Sequence, residues 1–413
     1  MYSKIGLESL YDIGYITVEN STNYFLPRLV ALDETEYVRS VEVVSLETLA
    51  KVLGFDFCRS ALEEPVFNIY SRQFSAKNEN IELAHCTEID LIPDPAWKVC
   101  GGNRYFVDEI SHSNKSALRG VEYWPEFGGK YHIRYQAQLM LLPKEDGPYY
   151  LLAGDTNWYH WLLNFVPRLM HIQKFRHEFP ELENVKFLVH GNISNNAFSL
   201  LNLLGVQSNK IICLDSNAVY RTQGLFVPSF FSGTYLSLNV FNWYRDSIQL
   251  SSVPRLARKR IIISRKDAQS GTQRRRVVNE GDLIAALAPL GFEAYDLASL
   301  SLEDQIRLFA SAEFVLGPHG AGFANMAFCL KGTKAIIFEN SWNHTFMADM
   351  VNVSGGVAEV LLCEDVIDSD FEESIADNKE FADEVRRNRD MVVNIDSLLE
   401  KINQMLAIGD DNP

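Results

Sequence analysis

Three short stretches of this chain carry residue types that could do chemistry. In EFVLGPHGAGFANMAF (313–328), an apolar run empties into a loop in which Gly317, Gly320 and Gly322 surround His319 and Ala321. Glycine lets a phosphate approach the backbone, and the first turn of a following helix offers unpaired N–H groups with a favourable dipole. His319 would add a donor, and a positive charge if protonated. The same glycines would equally serve a tight strand-to-helix turn that binds nothing. In KRIIISRKDAQSGTQRRRVVNE (259–280), Arg265 and Lys266 follow an apolar strand, and Arg274, Arg275 and Arg276 follow a polar loop. Guanidinium forks match phosphate oxygens, although a basic run is more often a solvated surface.

The third stretch is NWYHWLLNFVPRLMH (157–171). At 100° per residue, His160, Asn164, Arg168 and His171 fall on one helical face, and Leu162, Phe165, Val166 and Leu169 fall on the other. That pattern predicts a helix lining a cleft, with His160 as general base; a partly buried histidine bonded to backbone is the competing reading. Pro167 interrupts the pattern. Glu339 closes the apolar run IIFE, where a lone acid is costly unless wet or paired. It could accept two ribose hydroxyls, or simply stand exposed at a strand end.

These residues need a scaffold that brings them to sheet edges. From residue 150 the chain alternates strand and helix (YYLLAG, a helix from Asn157, KFLVHG, a helix near 195–204, KIICLD, GLFVPS), the cadence of a parallel sheet with crossovers. SSVPRLARK (251–259) reads as a linker, after which a second series begins with KRIIIS. In that series Leu283, Leu287 and Leu290 share a helical face, and Ser301 with Asp304 forms a capping box ahead of Leu302, Ile306 and Phe309. EFVLG and KAIIFE complete it. The fold class expected is α/β, with two Rossmann-like halves facing across a cleft and an α+β amino-terminal elaboration. The expected domains are 1–250 (1–145 the elaboration, 150–250 the core), 258–365, and an acidic, helical segment 366–413 packing back on the amino-terminal domain.

Composition narrows the function. The 413 residues include 47% hydrophobic and 12% aromatic, enough for sizeable cores. A formal charge of -16 and a pI near 5.1 disfavour nucleic acid and anionic membranes as partners. Against that average, the stretch 255–276 concentrates arginine and lysine, with Asp267 its one acid, so an anion-binding region is expected there. The six scattered cysteines form no zinc or redox motif. The first thirty residues read as neither signal nor transit peptide, and no apolar run reaches the ~18 residues of a membrane span, so a cytoplasmic protein is expected. Asp368-Ser369-Asp370 looks like the acidic motif of metal-dependent sugar transferases. It follows the last core strand in an acidic segment, however, and no metal is expected. There is no Walker-type loop and no early G-x-G-x-x-G, which weakens kinase, ATPase and dehydrogenase readings.

Taken in order, NWYHWLLNFVPRL, IIISRKDA…RRRVVNEGDL, GPHGAGFANMAF and AIIFE resemble glycosyltransferase family 61 over about 150–345. The resemblance implies a GT-B architecture and metal-independent, inverting transfer from a nucleotide sugar, a UDP-sugar foremost, with no cofactor. It further implies a glycan or lipid-linked glycan acceptor, a role in surface or capsular polysaccharide synthesis, and peripheral association with a membrane-bound assembly machinery. It implies that Arg265, Arg275, Arg276, Asn279, His319, Gly320, Ala321 and Gly322 meet the donor, that Glu339 holds the ribose, and that His160 is catalytic. Many members carry aspartate four residues after that histidine. Here the position is Asn164, which cannot take a proton near neutral pH. A nucleotide-sugar epimerase or phosphorylase on the same architecture, or a non-catalytic nucleotide-sugar-binding protein, are the alternatives.

Overall fold

The computed structural model describes residues 30–31, 37–68, 71–93, 97–101, 105–107, 121–125, 130–135, 137–154, 156–229, 235–252, 258–265, 275–342, 344–367 and 386–407. Lys266, Arg274 and the Asp368-Ser369-Asp370 triplet lie outside the described residues. The chain divides into two compact units, Met1–Trp243 and Tyr244–Pro413.

The first unit is built on a seven-stranded sheet. In chain order its strands are β1 (Asp56–Asn68), β2 (Gln73–Cys86), β3 (Tyr149–Ala153), β4 (Lys186–His190), β5 (Ile211–Leu214), β6 (Leu225–Pro228) and β7 (Tyr235–Ser237). Across the sheet they run β5-β4-β3-β6-β2-β1-β7. The first four in this order, β5-β4-β3-β6, are parallel, and β3 is buried along its whole length, as expected of a strand covered on both faces. The chain steps from β3 out to β5, then returns to place β6 on the other side of β3. The crevice beyond the carboxyl ends of β3 and β6 is therefore a topological switch point, where open α/β sheets bind ligands.

The reading that sets 1–145 apart as an elaboration needs correction. β1 and β2 belong to this same sheet, with Leu83 and Ala84 of β2 paired antiparallel to Pro228 and Val227 of β6. They cover an edge that β6 would otherwise present to solvent. Other short strands between Val30 and Thr222 form a nine-stranded mixed sheet. It includes Ala218–Thr222, a strand too short and polar to stand out in the sequence.

The second unit holds a wholly parallel five-stranded sheet. Its strands are β8 (Lys259–Ile263), β9 (Phe292–Tyr295), β10 (Ala312–Pro318), β11 (Lys334–Glu339) and β12 (Val357–Leu362), in the order β9-β8-β10-β11-β12. This is the doubly wound 2-1-3-4-5 pattern, whose switch point lies between β8 and β10. The helix α1 (Glu280–Leu287) buries Leu283 and Leu287 against the sheet, and Leu290 packs beside them, on the face the sequence indicated. In α2 (Leu302–Ala310) the Ser301 hydroxyl accepts from the Asp304 N–H at 3.1 Å and donates to the Asp304 carboxylate at 2.7 Å, while Leu302, Ile306 and Phe309 are buried.

The last helix, α3 (Ile395–Ala407), seats Leu398, Ile402 and Met405 in the core formed by Ile336, Phe338 and Leu361. The expectation that the tail returns to the amino-terminal domain gives way to this docking on the second unit's own sheet. The apolar stripe at 398, 402 and 405 fixes which face is buried, and only the fold decides against what.

Candidate active site

The stretch expected to be one helix from Asn157 is four pieces. Asn157 caps a single α-turn, Trp158–His160; a π-turn follows at Trp161–Phe165, a 3-10 turn at Val166–Arg168, and regular helix at Leu169–Phe175. Pro167 has no N–H to give, and wide and tight turns around it absorb the break. The expected polar face does not line an open cleft along its length. Arg168 and His171 are both 0% exposed. Arg168 Nη1 donates to the carbonyls of Leu152 and Leu151 at the end of β3, at 3.2 and 3.4 Å, and burial lowers its pKa to about 9. Burial and the Arg168 charge push His171 down to about 3, so its ring is neutral. Its Nδ1–H then donates to the Arg168 carbonyl at 3.0 Å, and Nε2 accepts from the Ser229 hydroxyl at 3.1 Å. Ser229 in turn accepts from the Glu82 N–H at 3.0 Å. Arg168 and His171 thus fasten this segment to β3, β6 and β2.

That fastening places His160 one turn beyond the carboxyl end of β3, at the first unit's switch point. Gly154, at the strand's exit, has φ +143°, and a side chain there would strike the Trp161 ring at 2.9 Å. His160 Nδ1 lies 2.8 Å from Asn164 Oδ1. An amide oxygen only accepts, so Nδ1 carries the proton and Nε2 is the basic nitrogen of the neutral ring. Asn164, 2% exposed, is in effect the residue that orients His160.

The second unit's switch point gathers a different set. Arg265 stands just beyond β8 and His319 just beyond β10, and Arg265 Nη1 donates to the His319 carbonyl at 3.5 Å. A Cβ at Gly320 would overlap the Arg265 guanidinium, so this position must be small for the arginine to lie where it does. His319 Nδ1 is 2.6 Å from Glu339 Oε1, and Glu339 is only 2% exposed. Glu339 is therefore not a bare strand-end acid; it is the buried partner of His319. Ala321 and Gly322 begin the segment Ala321–Phe328, a 3-10 helix where a full α-helix was expected.

Two further arginines reach this pocket. Arg275 is buried and sits at φ 50°, a left-handed conformation rare for a residue with a side chain and concentrated at functional sites. Its guanidinium is held down to about 9 by burial and by the charges of Arg265 and Arg387, with Glu339 opposing. Burial also lowers Arg265, against the pull of Asp390. Arg387 lies with its guanidinium carbon 5.8 Å from the Trp342 ring, and Trp342 stacks on His344 at 4.4 Å. The rings of Trp342 and His344 both meet His319 edge-on, at 6.2 and 6.0 Å. Burial and the neighbouring His319 lower the His344 pKa.

Not every candidate joins this pocket. Arg276 pairs with Asp390 through Nη2 at 2.6 Å and Nε at 3.0 Å. Asn279 uses both ends of its amide on the backbone of Val393, at 2.8 and 3.0 Å. Both hold the carboxyl-terminal segment in place. Arg387, Trp342 and His344 were not singled out from sequence. The one available signal was the run Arg386-Arg387-Asn388-Arg389 inside an otherwise acidic tail.

The match to known families decides the class. Residues 158–336 match the family model described as Glycosyltransferase 61. That stretch belongs to glycosyltransferase family 61. The matched range takes in His160, Asn164, Arg265, Arg275 and His319, and stops three residues before Glu339. No curated protein matches this glycosyltransferase in sequence. Among solved structures it is similar to the bacterial iron-containing dodecameric glycosyltransferase TibC from enterotoxigenic E. coli, at 12% identity and a TM-score of 0.32, covering 85% of this chain and 96% of that one. It is also similar to the heptosyltransferase TibC in complex with ADP-D-beta-D-heptose, at 12% identity and a TM-score of 0.29, covering 86% and 95%. Likeness at this level decides neither the fold nor the activity of the glycosyltransferase. No cluster of three or more His, Cys, Asp or Glu fit to hold a metal occurs among the described residues, and no helix among them is long and apolar enough to cross a membrane.

Proposed function

We propose that this glycosyltransferase is an inverting, metal-independent enzyme of GT-B type. Its second unit binds a nucleoside-diphosphate sugar, and its first unit supplies the base that activates a hydroxyl acceptor. The observation that supports this most is the cationic pocket at the β8/β10 switch point. Half-buried Arg265 and buried Arg275 converge there beside His319, at the sheet position where nucleotides bind, and the carboxylate of Glu339 is engaged by His319. Convergent guanidinium groups repel one another, and a diphosphate is the anion of matching charge and geometry.

In the proposed step His160 Nε2 accepts the acceptor proton as the acceptor oxygen bonds to the anomeric carbon. The bond from that carbon to the diphosphate oxygen breaks, and its electron pair leaves on the diphosphate. Arg265, Arg275 and His319 stabilise the leaving charge, each preorganised donor lowering the barrier by about 3 kcal/mol. Asn164 needs no proton affinity of its own, because it only fixes which nitrogen of His160 is the base. The arginines supply the positive charge that a metal would otherwise bring. For substrates we propose a UDP-sugar and a glycan or lipid-linked glycan, in surface polysaccharide synthesis at the cytoplasmic side of a membrane assembly machinery.

A thermal-shift panel of UDP, GDP, CMP and their sugars, followed by product analysis with a glycan acceptor panel, tests this reading. One nucleotide is expected to raise the melting temperature, and His160→Ala is expected to keep that shift while losing turnover. Full turnover by His160→Ala would remove the base assignment. No shift with any nucleotide would remove the donor site.

A further inference from the structure

Arginines from two distant segments meet beside the donor pocket, and their partners divide them into two groups. Arg276 is paired with Asp390 and Arg389 with Asp365, at 2.6 and 2.9 Å, so those two hold the fold. Arg275 and Arg387 are in no ion pair among the described residues, and the Nε of each is buried without a hydrogen-bond partner. Arg275 is close enough to both Arg265 and Arg387 that their charges oppose its own. Like charges brought together in a poorly solvated place cost stability unless an anion is to be bound between them.

The approach is built by many contacts, so it is no accident of one flexible side chain. Residues 275–279 and 388–393 run side by side. Arg275 N–H donates to the Asn388 carbonyl, Met391 N–H to the Arg276 carbonyl, and Val278 N–H to the Met391 carbonyl, at 3.2, 2.9 and 2.9 Å. Asn279 clamps Val393 from one end. From the other, Asn340, next to Glu339, donates to the carbonyls of Arg386 and Arg387 at 2.8 and 3.2 Å. The Trp342 ring lies against the Arg387 guanidinium and limits where it can swing.

We infer that Arg387, brought in by the carboxyl-terminal segment, is a further ligand of the donor diphosphate, with Trp342 as its positioning residue. This rests on the reading of the arginine pocket as the donor-phosphate site. It extends the donor site beyond the matched family range, to a residue more than a hundred positions from Arg275.

Calorimetric titration of the full chain with UDP, GDP, ADP and CDP, and with the matching monophosphates, tests this in wild type, Arg387→Gln and Arg387→Lys. Arg387→Gln is expected to weaken the bound diphosphate by about 10- to 100-fold, the effect of one charge-assisted hydrogen bond. Arg387→Lys should recover part of that loss, and the monophosphate should lose less than the diphosphate. Without nucleotide, Arg387→Gln should melt at or above the wild-type temperature, because a repelled charge has been removed. Trp342→Leu should weaken diphosphate binding in wild type but not in Arg387→Gln. Unchanged diphosphate affinity in Arg387→Gln, an equal loss for mono- and diphosphate, or a lowered melting temperature without ligand would each overturn the assignment. If wild type binds no diphosphate at all, the donor-site reading itself falls, a result separate from the other three.

Discussion

Replacing Gly320 with alanine isolates one contact of the donor pocket. Gly320 has φ 167° and ψ 173°, extended backbone that alanine adopts freely, so no strain follows from the conformation. The added Cβ would meet the Arg265 guanidinium tip, while its next neighbours, Arg265 Cζ at 3.5 Å and the Pro318 carbonyl at 3.9 Å, are at ordinary contact distance. Only the guanidinium must move. Alanine also lowers the entropy of the unfolded chain by about 0.4–1 kcal/mol, which offsets a small packing cost, and the melting temperature should stay within about 2 °C of wild type. Displacing Arg265 from a phosphate should remove one charge-assisted hydrogen bond, about 1.5–3 kcal/mol, or about 10- to 150-fold in nucleotide affinity. The assay is a double-mutant cycle by calorimetry with Arg265→Ala. If alanine at 320 acts by moving Arg265, it has almost no further effect once Arg265 is gone, giving a coupling energy close to the whole effect of Gly320→Ala. Additive losses would refute the reasoning, and so would an unchanged affinity in Gly320→Ala.

Other outcomes follow from the first unit. Asn164→Ala removes the oxygen that holds the proton on His160 Nδ1, and kcat should fall by about 10- to 100-fold with donor KM unchanged, while Asn164→Asp, with an oxygen at the same place, should retain activity in steady-state assays. His171, held to about 3 in the fold against about 6.5 when unfolded, stays neutral where the unfolded chain takes a proton. Stability from it is complete above pH 6.5 and is lost as pH falls from there toward 3, at about 1.4 kcal/mol per pH unit, so urea titrations of His171→Gln should show a flatter dependence across that window. Glu79, raised to about 7 by burial despite a hydrogen bond from Ser237, shows the opposite sense. Its neutral form is favoured in the fold, stability is lost as pH rises from 4.5 to 7, and Glu79→Gln should raise the urea midpoint at pH 8 while leaving it unchanged at pH 4.

The arrangement of candidate residues was legible in sequence to different depths. Where a residue closely follows an apolar run, as Arg265 follows RIIIS and His319 follows FVLGP, strand periodicity is enough to put it at a sheet's carboxyl edge. Chain order alone did not reveal that β8 and β10 are neighbours in the sheet, which is what brings those two residues together. The helical wheel of 157–171 misled for a local reason. A π-turn and a 3-10 turn around Pro167 change the rotation per residue, and Arg168 and His171 became inward anchors on strand carbonyls and Ser229.

By itself, the sequence determined the two α/β series, the glycine-bearing loop after a buried strand, the basic stretch ahead of α1 and the capping box of α2, because each depends on residues within a few positions of one another. Only the tertiary structure decided that Glu339 belongs to His319, that the side chains of Arg276 and Asn279 hold the tail while the Arg275 guanidinium does not, and that Arg387 arrives from beyond the acidic segment. The physical reason is that a buried charge or amide takes whichever partner the packing of distant segments brings within about 3 Å, and that distance is set by strand order and helix docking rather than by spacing along the chain.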